Sequence, residues 1–329
     1  MKKFTIILFA IIALFSCKEE NKSQSSTDDG GAYAKSAGRP NALTIVIDNH
    51  LWEGAVGEAL RKELAASVKG LPQEEPLFTI RQMPPTAFKG FASRSRLFLK
   101  INKGKTINYE TYKNKYARPQ TGIEIWGNTD DKIIEVFNEH SDEIIKKFKK
   151  TEIITKQLRI KNPLNIDGLK EKLGISISVP GVFRVAKATD DSYWIRKKLS
   201  NGTMDIIAYE VPMDFFNDSL SLAQNVIRVR DSIGGNKVVV DEGGKFITEE
   251  AYAPYLKETT FKGKKAYETR GTWEVKNKWM AGPFLNYLIK DSSNNRLLVL
   301  EGFVFAPSVN KRDYMLELEA LLNTVKFVE

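Results

Sequence analysis

The chain of 329 residues has few of the residues on which catalytic and metal sites usually depend. One cysteine excludes a disulfide within the chain and a thiolate metal cluster, and the two histidines, His50 and His140, are too far apart in sequence for metal-ligand spacing. Neither a Gly-x-Ser-x-Gly elbow nor a glycine-rich phosphate loop occurs. We therefore expect no cofactor and no metal, and we favour a protein without catalytic activity.

The cysteine stands at the end of an N-terminal apolar segment. Residues 4–15 follow a basic start and are too short a run to span a bilayer, which predicts a signal peptide over residues 1–16. Leu14-Phe15-Ser16-Cys17 resembles the lipobox of bacterial lipoproteins, although Phe15 is larger than the usual residue. This resemblance implies that Cys17 becomes the first mature residue and carries lipid. We favour that reading over a stray cysteine beside an ordinary signal peptide.

Residues 17–42 are polar and contain few large apolar side chains, which predicts a lipidated flexible linker. Several acyl chains hold a protein durably on a bilayer. We therefore expect a lipid-anchored protein of the cell envelope, on the outer membrane. Lys18-Glu19-Glu20 resembles the charged tags that mark surface export in Bacteroidota lipoproteins, but any polar linker contains such charges. The periplasmic and the surface face of the membrane both stay open.

The chain has an excess of positive charge, with a formal net charge of +9. Without the lysines of the signal peptide, and with a balanced linker, the body keeps about +7, which permits attraction to anionic lipids or glycans. The densest basic run, at residues 146–150, is interpreted as the end of a long helix, where cations complement the helix dipole. Nucleic acid is not an expected partner, because the protein is predicted to be exported.

Hydrophobic periodicity predicts two lobes, at residues 43–160 and 175–329, joined by a connector at 161–174. In the first lobe, Thr129 is the predicted N-cap of the long helix. In the second, Asn201-Gly202 predicts a β-hairpin and Gly174 a helix C-cap. The predicted strands are 43–47, 77–83, 94–101, 122–126, 175–179, 193–199, 204–211, 266–275, 284–290 and 297–305, and the other predicted helices are 51–66, 219–233 and 311–323.

Both lobes have the predicted order strand, helix, three strands, helix. We find no convincing residue identity between them, so a divergent duplication and a coincidence both stay open. The hairpins favour an α+β fold of two largely antiparallel sheets with helices packed on them. The order of elements in the second lobe is also similar to that of photosystem PsbP-like domains, a likeness of topology that implies no function.

Several short motifs recur along the body of the chain. They are Asn49-His50-Leu51-Trp52-Glu53-Gly54, Tyr116-Ala117-Arg118-Pro119-Gln120, Arg270-Gly271-Thr272-Trp273, Met280-Ala281-Gly282-Pro283-Phe284 and Ala306-Pro307 before Lys311-Arg312. In this order they resemble a family of predicted Bacteroidota lipoproteins built on a domain of unknown function. The resemblance covers nearly everything after the linker and implies no activity and no site residues.

The aromatic and polar residues of these motifs allow two interpretations. The favoured one is packing at turns and between neighbouring strands. The other is a single polar and aromatic binding cleft lined by Trp52, Arg118, Gln120, Arg270, Trp273 and Trp279.

The preferred function is non-catalytic binding or assembly of an envelope protein or an anionic glycan. The alternative is an envelope hydrolase that acts on glycan or peptide through carboxylates. Two carboxyl groups about 5 to 9 Å apart in a cleft would favour the alternative.

Overall fold

The structure is a computed structural model that describes residues 33–217, 219–240 and 243–328. The predicted signal peptide, the predicted lipid attachment point Cys17 and residues 17–32 of the predicted linker lie outside these ranges. Within the ranges, no helix is both long enough and apolar enough to cross a membrane.

The first lobe is built on a sheet with the strand order β2-β1-β3-β5-β4. β1 is parallel to β2 and β3, and β3 is parallel to β5, whereas β4 is antiparallel to β5. Parallel neighbours need a crossover connection. Between β1 and β2, helices α1 (Asn49–Glu53) and α2 (Ala55–Leu64) supply it. The strands are β1 (Ala42–Val46), β2 (Thr79–Met83), β3 (Leu97–Lys103), β4 (Asn108–Lys113) and β5 (Thr121–Gly127).

The helices of the first lobe cover the apolar strands of this sheet. The predicted single helix over 51–66 is two helices, α1 (Asn49–Glu53) and α2 (Ala55–Leu64). Helix α3 spans Asp130–Gln157, and the Thr129 side chain accepts a hydrogen bond from the Lys132 amide, as predicted for an N-cap. The inward face of α3 is apolar and packs on the sheet through Ile133, Phe137, Ile144 and Phe148.

The second lobe is built on an eight-stranded sheet in which every pairing is antiparallel. The strand order is β10-β12-β13-β14-β9-β8-β7, and β11 also pairs with β12. The predicted Asn201-Gly202 hairpin is confirmed, with Gly202 at φ 127°. The strands are β7 (Arg184–Ala188), β8 (Ser192–Leu199), β9 (Gly202–Pro212), β10 (Lys245–Thr248), β11 (Tyr255–Phe261), β12 (Lys264–Lys276), β13 (Ala281–Asp291) and β14 (Arg296–Phe305).

Each face of the second sheet has its own apolar core. Helix α7 (Arg312–Leu322) and the short helix α4 (Asp167–Leu173) lie over one face. Helix α5 (Leu222–Val229), a π-helical turn at Arg230–Gly234 and α6 (Gly235–Lys237) lie over the other. Two short strands, β6 (Ile175–Ser176) and β15 (Lys326–Phe327), pair beside α4, whose C-cap is Gly174 at φ 59°, as predicted.

The α+β class predicted from the sequence is confirmed, but the prediction that both sheets are largely antiparallel is wrong for the first sheet. The first sheet is mostly parallel, because its strands are joined by crossovers rather than hairpins. The two lobes also differ in strand direction and topology, so the structure does not support a duplication. Strands β4, β7, β10, β11 and the short β15 were not predicted. The first four lie at or near the edges of their sheets, and β4 and β7 have no buried residue.

Residues 33–42 are the part of the predicted linker that the structure describes. They are hydrogen-bonded to the first lobe. The amide of Ser36 donates to the carbonyl of Arg118, and the amide of Ala37 donates to that of Arg94. A flexible linker was predicted here because the side chains are polar. These contacts use backbone groups, which side-chain composition does not reveal.

The two lobes meet along helices α3 and α7. Glu75, a buried residue of the first lobe, accepts hydrogen bonds from the amides of Lys311 (2.6 Å) and Arg312 (3.1 Å) at the start of α7. These are amides that have no partner within the helix. Glu317 of α7 bridges Lys156 of α3 and Lys197 of the second sheet, at 3.2 and 2.7 Å.

We predict that Glu75→Gln destabilises the protein. The amide oxygen can accept at one position only, and the negative charge that favours a helix N-terminus is lost, so we expect a decrease of about 1–2 kcal/mol in the free energy of unfolding. Urea unfolding of the full chain, followed by circular dichroism, measures it. The matched control is Glu74→Gln at the neighbouring exposed position. Equal changes in the two variants would contradict the capping role.

Candidate functional site

The six residues of the predicted cleft do not come together in one place. Trp52 follows the C-terminal end of β1, whereas Arg118 and Gln120 precede the N-terminal end of β5. Because β1 and β5 both run parallel to β3, these positions lie at opposite ends of the strands. Trp52 stacks there against Arg61, with the guanidinium carbon 4.6 Å from the ring centroid.

The other three residues lie on the second lobe. Arg270 and Trp273 are three positions apart on β12, so their side chains point to opposite faces of the sheet. Arg270 forms ion pairs with Glu268 and Glu319 on the face that carries α7. Trp273 is buried in the core of the other face, and Trp279 is fully exposed in the turn between β12 and β13.

Arg118 and Gln120 lie in one loop and line the same cavity. Gln120 is buried, and its side-chain oxygen accepts from the amide of Tyr116, while its side-chain nitrogen donates to the carbonyls of Ser93 and Ser95 at 2.8 Å each. These three bonds use both ends of the amide. Gln120 thereby fixes the loop that carries Arg118.

The cavity lies between this loop, β4 and the outer side of α3. Its volume is about 410 Å³. Four cationic side chains belong to its lining, and the lining contains no aspartate or glutamate. Pro119, Ile154 and Leu158 contribute apolar surface. We call this the basic cavity and define its cations as Lys113, Arg118, Lys147 and Lys150.

The four cations differ in how far they are neutralised. Lys147 is bonded to Glu143 (2.7 Å) and to the hydroxyl of Thr111 (2.8 Å). The hydrogen bond from Lys147 holds the pKa of Glu143 below its ordinary value. Among the described residues, no carboxylate lies within 4.0 Å of the charged nitrogens of Lys113, Arg118 or Lys150. The positive charge of the basic cavity is therefore carried mainly by these three side chains.

Tyr112 also belongs to the lining, and its side chain contacts Lys115 and Glu110. The ammonium nitrogen of Lys115 lies 3.6 Å from its ring centroid, and its hydroxyl donates to Glu110. Burial, together with the hydrogen bond to Glu110, raises the pKa of the Tyr112 hydroxyl. Tyr112 therefore stays uncharged at neutral pH.

The lysine run at residues 146–150 has a different position from the predicted one. Helix α3 continues to Gln157, so the run lies two turns before the helix end. The prediction was wrong because basic residues near a helix terminus and on a solvated helix face have the same composition. The run is instead a mid-helix surface, of which two lysines line the basic cavity.

Sequence reasoning missed most of the cavity residues. Lys147, Thr151, Ile154 and Leu158 have spacings of four, three and four residues, which place them on one face of α3. This stripe lies beside the apolar stripe that packs on the sheet, and it was the available signal. Lys113 carried no signal, because β4 itself was not predicted.

Carboxylate catalysis requires two carboxylates in one cavity, and four surface cavities of the described part do not have them. Across the linings of four such cavities in the described part, one carboxylate occurs, that of Asp214. His50 is exposed, and His140 stacks on Tyr109 with 4.0 Å between the ring centroids. No group of three His, Cys, Asp or Glu that could hold a metal ion occurs in the described ranges.

Buried carboxylates in the described part serve as ion-pair or hydrogen-bond partners. Apart from Glu75, which bonds to backbone amides, each of them has a Lys or Arg nitrogen within 4.0 Å. These carboxylates are Glu124, Glu152, Asp205, Glu268, Asp291 and Glu301.

Solved structures with some likeness to this chain each cover 47% of it. The Ran-binding protein Mog1p of Saccharomyces cerevisiae has 15% identity, a TM-score of 0.30 and 91% of its own chain covered. CyanoP, the PsbP protein of Synechocystis sp. PCC 6803, has 10% identity, a TM-score of 0.32 and 86% covered. LpqN of Mycobacterium tuberculosis, a protein involved in cell envelope biogenesis, has 13% identity, a TM-score of 0.29 and 83% covered.

Family models match the chain in two adjacent segments. Residues 36–161 match a domain of unknown function, DUF8532, and residues 162–324 match a second one, DUF4837. No curated protein matches the chain. The chain is thus similar to two families of domains of unknown function, placed side by side.

Proposed function

We propose that this chain is a lipid-anchored protein of the cell envelope that binds an anionic glycan in the basic cavity, without catalysis. The observation that carries the proposal is a cavity of about 410 Å³ whose lining has four cations and no carboxylate. A concave site with a few convergent charged groups and apolar walls is the usual form of a binding pocket.

The charge of the cavity selects an anionic ligand. Arg118 can bind a carboxylate or a phosphate through two parallel hydrogen bonds, and Lys113 and Lys150 add point charges. Pro119, Ile154 and Leu158 give the cavity an apolar wall, and Leu158 is 66% exposed. A sugar ring has both an apolar face and polar substituents, so an acidic glycan matches both parts of the lining.

The start of the described chain lies beside the cavity. The guanidinium of Arg118 is 4.5 Å from the centroid of the Tyr33 ring, and Lys35 bridges to Arg118 through the backbone. Sixteen positions separate Tyr33 from Cys17. An extended chain of that length reaches at most about 55 Å. A lipid at Cys17 would therefore keep the basic cavity within reach of the membrane surface.

Arg118→Glu combined with Lys150→Glu should weaken glycan binding by about tenfold or more, because two attractive charges become repulsive. Retention on immobilised polygalacturonate and chondroitin sulfate measures the effect, with dextran as the neutral glycan. We expect wild-type retention to decrease with salt.

The matched control is Lys170→Glu combined with Lys187→Glu, two exposed positions on other parts of the chain that change the net charge equally. Retention should stay close to that of the wild type. An equal loss in both double variants would mean general charge attraction and would refute the site. Absence of wild-type binding to either acidic glycan would refute the function.

The anchor is tested separately. Cys17→Ser should abolish metabolic labelling with a fatty acid and release the protein from the membrane fraction, because the residue that carries the lipid is gone. Ser16→Gly, which keeps a small residue before the cysteine, should leave both unchanged. A labelled, membrane-bound Cys17→Ser protein would disprove lipid attachment at this residue.

A further inference from the structure

A second cavity lies in the second lobe, on the sheet face that carries α5 and α6. Its volume is about 200 Å³. It is bounded by residues 238–240, which follow α6, and by strands β8, β9, β10, β12 and β14. The basic cavity and the proposed glycan function involve none of these residues. We call this second cavity the aromatic pocket.

The inner wall of the aromatic pocket is formed by large aromatic side chains. The ring of Trp273 lies 5.1 Å from that of Phe246, 5.8 Å from that of Phe303 and 6.3 Å from that of Phe305, centroid to centroid. All four belong to the lining. Such a wall binds apolar groups by packing and by expelling water.

Trp273 also has a buried polar atom. The residue is 2% exposed, and its indole nitrogen has no hydrogen-bond partner among the residues that the structure describes. Buried tryptophan N–H groups usually find a partner, because a buried donor without one is costly. This nitrogen is closed to solvent, so it is not open to a ligand in the cavity.

Two cations belong to the lining, Arg196 and Lys278. The Nε of Arg196 donates to the fully buried Asp205 at 2.7 Å, and the indole of Trp194 donates to the same oxygen at 2.8 Å. Burial raises the pKa of Asp205, and the charge and hydrogen bond of Arg196 partly offset this increase. Asp205 thus holds the guanidinium in place, and the terminal nitrogens of Arg196 remain as donors for a ligand.

We infer that the aromatic pocket binds a small carboxylate with an apolar tail, either a short acyl chain or a single aromatic ring. The tail packs against Phe246, Trp273 and Phe303, and the carboxylate oxygens accept from the two cations. The size agrees with this class, since a dry cavity of about 150 Å³ is enough to hold benzene.

The mouth of the pocket is apolar and exposed. Val239 is 61% exposed and Met280 37% exposed, and Trp279, between the lining residues Lys278 and Met280, is fully exposed. A membrane surface would also match exposed apolar groups beside a lysine. The concave shape favours a small molecule, because a bilayer contacts only the rim.

The experiment uses the full chain with Cys17→Ser, labelled with nitrogen-15, and follows the indole N–H resonances by NMR. Octanoate, kept below its micelle concentration, is the probe, and octanol is the uncharged comparison. We expect a saturable shift of the Trp273 resonance, assigned with Trp273→Phe, and no shift for Trp126. Octanol should bind about tenfold more weakly, as expected for the loss of a charge-assisted hydrogen bond.

Variants at the mouth complete the test. Val239→Trp should block the pocket and abolish the shift, and Lys278→Glu should weaken octanoate binding by about tenfold. Lys245→Glu, at an exposed position outside the lining, is the control and should bind as the wild type does.

Three results would overturn the inference. The first is the absence of a Trp273 shift with octanoate. The second is equal affinity for octanoate and octanol, which would mean that no carboxylate is recognised. The third is a shift confined to the Trp279 resonance and seen only with phosphatidylglycerol vesicles, which would identify a membrane-contact surface instead.

Discussion

The buried ion pair between Arg96 and Glu152 joins the parts of the first lobe on which the basic cavity depends. Arg96 is 2% exposed, and its Nε lies 2.9 Å from Glu152 on α3. One of its terminal nitrogens donates to the carbonyls of Gly38 and Arg39, in the segment that leads back toward the predicted lipid. Burial raises the pKa of Glu152 although Arg96 opposes it. Since loss of either partner would leave a buried charge, at a cost of about 3–5 kcal/mol, the pair fixes α3 relative to the start of the chain.

Helix α3, which this ion pair fixes in position, contacts both lobes. Its inward residues pack on the first sheet, its outer side lines the basic cavity, and its end meets α7 through Gln157, which donates to the carbonyl of Ala320. Glu75 satisfies the first amides of α7 from the first lobe. The first turn of α7 therefore depends on a residue more than 230 positions away in sequence. Two families of domains match the two segments, and buried polar contacts connect them.

The sequence predicted correctly the features that depend on residues close together in the chain. The Thr129 cap, the left-handed Gly174 and the Asn201-Gly202 turn each depend on residues a few positions apart, and each is confirmed. Strand direction in the first sheet depends on crossovers between distant segments, which local patterns do not encode. The predicted single cleft included both Arg270 and Trp273, although the two-residue period of a strand places them on opposite faces. The opposite orientation of Arg270 and Trp273 could have been predicted from the sequence. The contact of the Arg118 loop with α3 could not.

Charge placement distinguishes the interior of the protein from the basic cavity. Buried carboxylates of the described part are matched by Lys, Arg or backbone amides, as the cost of burying a charge requires. Lys113, Arg118 and Lys150 are exposed, and they lie around a concave surface without a carboxylate in its lining. Like charges held together destabilise a folded chain, so the fold gains nothing from this arrangement. An anionic ligand in the cavity would remove the repulsion, and the same unmatched charges would favour its binding.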